Sequence, residues 1–197
     1  LERRDKLRPF AMLYYHKAPH RNWMPAQRHL GINDDRVFPE PFNLLDDYSG
    51  RGSAARGQAM EIGRDMWPEW DLKLMTPEQL AQSYVLETSG DANKDDVSRA
   101  NDWRSSVMQY QAAYNRMTPE ERANWDRAYA PRIAEYERMK GRVSQEELTR
   151  WKYQQYMKDY CAVIKGVDEN VGRLLDYLEE IGELDNTIIV YTSDQGA

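Results

Sequence analysis

The sequence predicts an α/β fold in which a mainly parallel sheet is flanked by helices and carries a helical insertion. Three observations lead there. The chain closes on a run of β-branched and aromatic residues, Thr187 to Thr192, that ends abruptly in Ser193, Asp194, Gln195 and Gly196. That is the composition of a buried strand delivering polar groups at its tip. A long stretch with apolar residues at helical spacing, Tyr153 to Ile181, enters this strand through a tight connection, Gly182 to Asn186. Helix, turn and strand make the second half of a crossover unit, which joins parallel strands. Near the start of the chain, Phe10 to Tyr15 is a second apolar run of strand length, and it too ends in a polar cluster, Lys17, Ala18, Pro19, His20 and Arg21.

Composition narrows the class. At 197 residues the chain holds one sizeable core or part of a larger one. A 30% charged content and a mean hydropathy of -0.89 describe a wet, helix-leaning surface, while six Trp and thirteen Tyr supply burial that a disordered chain lacks. The net charge of -6 is spread over intermixed acids and bases without a basic block, which argues against nucleic acid as a partner. No apolar run approaches bilayer-spanning length, and Leu1 to Arg8 is charged rather than signal-like. The single cysteine, Cys161, excludes an internal disulfide and a multi-cysteine metal cluster; inside a helix it reads as a packing residue.

Three sections follow along the chain: residues 1–30, a strand and a substrate loop; 31–143, a loop and helical insertion; and 144–197, a long helix and a strand ending in a metal site. Pro19 breaks the first strand and holds its turn. From Trp23 to Gly52 the text is loop-like, rich in Pro, Asn and Asp, and a long ordered loop beside a candidate site is more often a substrate-lining surface than a random connection. A helix is expected from about Ala54 to Arg64, weakened by Gly57 and Gly63. Thr76-Pro77-Glu78-Gln79 and Thr118-Pro119-Glu120-Glu121 are helix starts with a capping Thr and Pro in the first turn, and Pro131 is expected to interrupt or kink the second helix. Gly90 to Asp96 reads as an exposed turn. Ser144-Gln145-Glu146-Glu147 is a capping box that opens the longest helix, with Gly182 as its stop. At 1.5 Å per residue it reaches roughly 55 Å, so a bend near Gly166 is expected.

Ligands in open α/β sheets bind outside the carboxyl ends of the strands, so parallel strands would bring Lys17, His20, Asp194 and Gln195 to one edge. Asp194 and Gln195 offer a carboxylate and an amide oxygen, hard ligands for calcium or magnesium, though an isolated Asp-X-Gly is as well explained by a turn cap. Two ligands also leave a calcium shell of roughly six to eight oxygens unfilled. His20 could protonate a leaving group and Lys17 could contact a phosphate or sulfate; each is otherwise a solvated turn residue. Asp168 and Glu169 read as solvated helix positions. The tryptophans could stack on sugar rings, but packing is the default for most.

The run Asp168-Glu169-Asn170-Val171-Gly172-Arg173-Leu174-Leu175, followed by Asp185-Asn186-Thr187 through Thr192-Ser193-Asp194-Gln195-Gly196, resembles the type I sulfatases of the alkaline phosphatase superfamily. YYHKAPHRNWMP is similar to the family's strand that ends in a substrate-contacting histidine. KAPHRNW, FPEPFNLLDDYSGRG and RWKYQQYMKDY are similar to a bacterial branch related to N-acetylglucosamine-6-sulfatases and other glycosaminoglycan sulfatases. The resemblance implies an alkaline-phosphatase-like fold, hydrolysis of sulfate esters on a sugar, and a periplasmic or extracellular location. It implies that Asp194 and Gln195 ligate calcium and that His20 contacts the sulfate and assists the leaving group; Lys17 matches only the branch pattern. The family's nucleophile is a formylglycine made from a Cys/Ser-X-Pro-Ser-Arg motif. This chain has no such motif, and the family's N-terminal Asp-Asp pair that completes the calcium shell is also missing from it. A central segment of a sulfatase, inactive by itself, is therefore expected. The rival readings are a phosphodiesterase or phosphatase of the same superfamily, told apart by the nucleophile motif, and a non-catalytic carbohydrate-binding or helical interaction module.

Overall fold

A computed structural model describes residues 1, 3–82 and 94–193. In chain order the described residues form the helices α1 (Ser53–Arg56), α2 (Pro77–Gln82), α3 (Lys94–Asn115), α4 (Pro119–Met139) and α5 (Gln145–Glu180), with 3₁₀ turns at Gln27–His29 and Leu184–Asn186. Among the described residues there is no β-strand, which overturns the expected α/β sheet. Both segments read as strands, Phe10 to Tyr15 and Thr187 to Thr192, lack a ladder partner there. Their side chains are largely open to solvent: Leu13 is 76% and Tyr15 82% exposed, Ile188 93% and Val190 78%. Strand propensity records how well a side chain fits a pleated, half-buried surface, and without a neighbour to accept its N–H and C=O groups such a run is only extended chain.

The helix starts behave as their sequences require. Thr118 caps α4 through the Glu121 N–H (3.2 Å), and the Glu121 carboxylate accepts the Thr118 N–H in return (2.8 Å), with Pro119 in the first position. α4 continues through Pro131 rather than ending there. One lost hydrogen bond is offset by packing on both sides of it: Trp125 and Tyr129 lie in one buried cluster with Leu80, Val107 and Tyr110, and Tyr136 lies in a second with Met66, Leu72 and Leu74. The helix expected over Ala54 to Arg64 shrinks to α1, which stops at Gly57. Of the expected turn Gly90 to Asp96, residues 90–93 lie outside the described residues and 94–96 open α3.

α5 is a single 36-residue helix that runs through Gly166. The Ser144 hydroxyl accepts the Glu147 N–H (3.1 Å) and the Glu147 carboxylate accepts the Ser144 N–H (3.0 Å). At its far end Gly182 adopts φ +70°, its N–H reaches the Glu179 carbonyl (2.9 Å) and the Glu183 N–H reaches that of Leu178 (2.9 Å). This is a Schellman stop, which needs the left-handed residue that glycine supplies without a Cβ clash. Ser144→Ala should lower stability by about 1 kcal/mol, read as a lower urea midpoint at unchanged slope.

The loop after His29 lies along the first half of α5 and has its backbone polar groups answered by helix side chains. Gln154 accepts the Phe38 N–H (2.9 Å) and donates to the Phe38 carbonyl (2.8 Å), Tyr153 donates to the Pro39 carbonyl (2.8 Å), and Lys158 donates to that of Asp34 (2.7 Å). Polar residues on this face of α5 thus replace the hydrogen bonds that an irregular segment would otherwise take from water.

Candidate functional site

Lys17 to His20 form a turn closed by a hydrogen bond from the His20 N–H to the Lys17 carbonyl (2.9 Å), with Ala18–Pro19 a cis peptide at its centre. Both candidate side chains on this turn, Lys17 and His20, are exposed. His20 Nδ1 lies 2.5 Å from the Arg21 carbonyl oxygen. A carbonyl can only accept, so Nδ1 carries the proton, and Nε2 is left without a hydrogen-bond partner among the described residues. The imidazole is thereby set to give or take a proton at Nε2 alone.

The turn is held from both sides. Before His20, the Pro19 carbonyl accepts the Trp23 indole N–H (2.8 Å), and the Trp23 ring meets Tyr156 of α5 edge-on at 4.6 Å between centroids. After it, Arg21 forks onto Asp71 through Nε and Nη2, both at 2.6 Å, while its guanidinium lies 4.7 Å from the Trp70 ring centroid. Asn22 donates to the Trp70 carbonyl (3.0 Å). Segment 19–23 is therefore seated on the Trp67–Lys73 loop and on α5, while the His20 side chain stays exposed.

Beneath the turn lies a buried charge network that the sequence reading did not single out. Lys73 is fully buried and spends its three N–H groups on Asp159 Oδ2 (2.6 Å), the Asp71 carbonyl (2.7 Å) and the Trp23 carbonyl (2.8 Å). Arg132 of α4 donates to Asp159 Oδ1 (2.7 Å) and to Asp34 Oδ1 (2.6 Å), and the Tyr129 hydroxyl donates to Asp159 Oδ2 (3.1 Å). Burial pulls the Lys73 ammonium below its ordinary range, with Asp159 opposing, and burial with the Asp159 charge pushes the Tyr129 hydroxyl well up, so that it stays a donor. The readable signal was WDLKLM, where Asp71 and Lys73 interrupt an otherwise apolar run. Charges inside such a run are tolerated only when paired.

The other expected residues fall as follows. Asp194 and Gln195 lie outside the described residues, so their convergence with Lys17 and His20 does too. Among the described residues no group of three or more His, Cys, Asp or Glu could hold a metal ion. Glu169, read as a solvated helix position, instead accepts from His29 Nε2 (2.9 Å) and Arg28 (2.8 Å), which pin the 3₁₀ turn to α5 and lower its pKa. Trp125 is core, and Trp23, Trp70, Trp103 and Trp151 pack at the edges of the two clusters. No helix among the described residues is long and apolar enough to cross a membrane.

Comparison with known proteins gives the following matches. The family model described as Sulfatase matches residues 99–197. An N-acetylglucosamine-6-O-sulfatase of Bacteroides thetaiotaomicron is 54% identical over 196 residues, covering 100% of this chain and 31% of the relative. The uncharacterized sulfatase PB10D8.02c of Schizosaccharomyces pombe is 51% identical over 41 residues, 21% of this chain and 7% of that protein. Among solved structures, that of BT4656 in complex with its substrate D-glucosamine-2-N,6-O-disulfate superposes with a TM-score of 0.76 at 51% identity, covering 94% of this chain and 33% of that one. The chain spans about a third of the length of the Bacteroides relative and of the solved chain.

Proposed function

This chain belongs to the sulfatase family, and on that premise we propose that the whole protein hydrolyses the 6-O-sulfate ester of a glucosamine-type sugar. The observation that carries the reading is the 54% identity to an N-acetylglucosamine-6-O-sulfatase along the entire chain. A relative solved with a 6-O-sulfated glucosamine supports the same substrate class.

In this reading His20 is the proton donor. As a nucleophile, which the residues of this chain do not include, bonds to sulfur, the bond between sulfur and the sugar oxygen breaks, its electron pair stays on that oxygen, and the His20 Nε2 proton passes to it to release a neutral alcohol. The other ring proton stays on Nδ1, hydrogen-bonded to the Arg21 carbonyl throughout, so the ring ends as the neutral tautomer that carries its hydrogen on Nδ1. The Lys17 ammonium contacts the sulfate oxygens as a mobile point charge. Asp194 and Gln195 are assigned to calcium by the family resemblance; the ion would supply positive charge for the sulfuryl oxygens when bound. A periplasmic or extracellular location belongs to the same reading.

Purified full-length protein should release inorganic sulfate from N-acetylglucosamine-6-sulfate and much less from the 3-sulfated isomer. Release from neither, with turnover of a phosphate ester instead, would sink the proposal. For the metal, Asp194→Ala should remove calcium from the purified protein, measured by elemental analysis; an unchanged calcium content rejects that ligand assignment.

A further inference from the structure

Arg21 occupies an unusual place among the groups around the turn. Its side chain is locked in a two-pronged ion pair with Asp71, whose side chain is completely buried, and is stacked above Trp70 and Trp67 at 4.7 and 5.7 Å. Asp71 is itself held, because the same Oδ2 accepts the Trp67 N–H (2.7 Å). The main-chain carbonyl of Arg21 is meanwhile the sole hydrogen-bond partner of the His20 ring among the described residues. An exposed imidazole has free rotation about two side-chain bonds, and here one bond to one carbonyl removes it. That carbonyl stays in place only as far as the Arg21 residue does.

We propose that Arg21, clamped by Asp71, is a positioning residue that fixes the orientation and tautomer of His20 for proton transfer. The inference rests on the reading of His20 as the proton donor. The geometry sets the requirement for arginine. A planar guanidinium presents two parallel N–H groups to the two oxygens of Asp71 and lies flat on an indole, whereas an ammonium keeps the charge but makes one pivoting contact. Lysine at this position would preserve the ion pair and release the clamp. Misplacing a reacting group by about 1 Å costs up to ~100-fold in rate, so a loosened carbonyl should be felt in kcat.

The test is a double-mutant cycle in the full-length protein, with sulfate release from N-acetylglucosamine-6-sulfate as the readout and thermal midpoints confirming that each variant is folded. Arg21 is partly exposed, so R21K, which retains a cation opposite Asp71, keeps the fold; R21Q is the second variant, answering Asp71 with an amide. Both should lower kcat, R21K by about 10-fold, with KM nearly unchanged. In the H20A background the same substitutions should change kcat by less than about 2-fold, because there is no ring left to orient. Equal losses in both backgrounds would show a general structural role and overturn the proposal, as would no loss in either. If H20A alone leaves kcat intact, the reading of His20 as proton donor fails, and that result is visible in a different arm of the cycle.

Discussion

Replacing Asp159 with alanine should destabilise the protein by about 3–5 kcal/mol. Asp159 is 2% exposed and is the carboxylate that answers two cations at once, Lys73 on one oxygen and Arg132 on the other. Removing it strands Lys73, which is fully buried, and leaves Arg132, which is nearly so, with only the half-exposed Asp34 as a carboxylate partner. The loss is mainly the desolvation penalty of those stranded charges, and only in small part the net value of the ion pairs themselves. Asp34 makes the contrasting control. It pairs with the same arginine but its side chain is 46% exposed, so Asp34→Ala should cost less than about 1 kcal/mol. Urea unfolding of both variants decides the matter. A loss at Asp159 no larger than that at Asp34 would mean that water reaches the network in solution and that it does not join α4, α5 and the Trp67–Lys73 loop as described.

His20→Ala in the full-length protein should lower kcat on a 6-O-sulfated sugar by about 10²- to 10⁴-fold, the range associated with a lost general acid. The effect belongs in kcat rather than KM, because the proton moves only as the ester bond breaks and contributes little to ground-state binding. The alkoxide of a sugar is a poor leaving group, which is why the substitution should be costly. His20 is exposed and its ring makes a single hydrogen bond, to Arg21, so its removal should leave the unfolding midpoint within a degree or two of the parent. A variant that keeps its kcat would remove His20 from the chemistry altogether.

How much could be read in advance differs from element to element. The capping boxes at Thr118 and Ser144 and the glycine stop at Gly182 were legible because each is a local arrangement whose partners lie within a few residues. The family was legible for another reason: the continuous run from Asp168 to Gly196 carries enough residues to be specific without any folding. His20 and Lys17 were found as a polar cluster after an apolar run, and the structure sets them on one turn. The anchors of that turn were not found. Asp71 pairs with Arg21 across fifty positions of sequence, and Asp159 with Lys73 across eighty-six. Spacing rules have no reach over such distances.

The sheet shows the same limit from the other side. Thr187 to Thr192 has strand composition, but a strand is a relation between two segments, and among the described residues none supplies the second. The sequence by itself determined where α4 and α5 begin and where α5 stops, the family, and the residues that can carry a proton or a charge, because these depend on neighbours in the chain or on residue chemistry. Only the tertiary structure decided which extended runs are paired, that α4 survives Pro131, and that the His20 ring is tied through Nδ1 to the Arg21 carbonyl. Those outcomes depend on burial and hydrogen-bond partners contributed by distant segments, and exchange with water makes each of them worth little until those partners are in place.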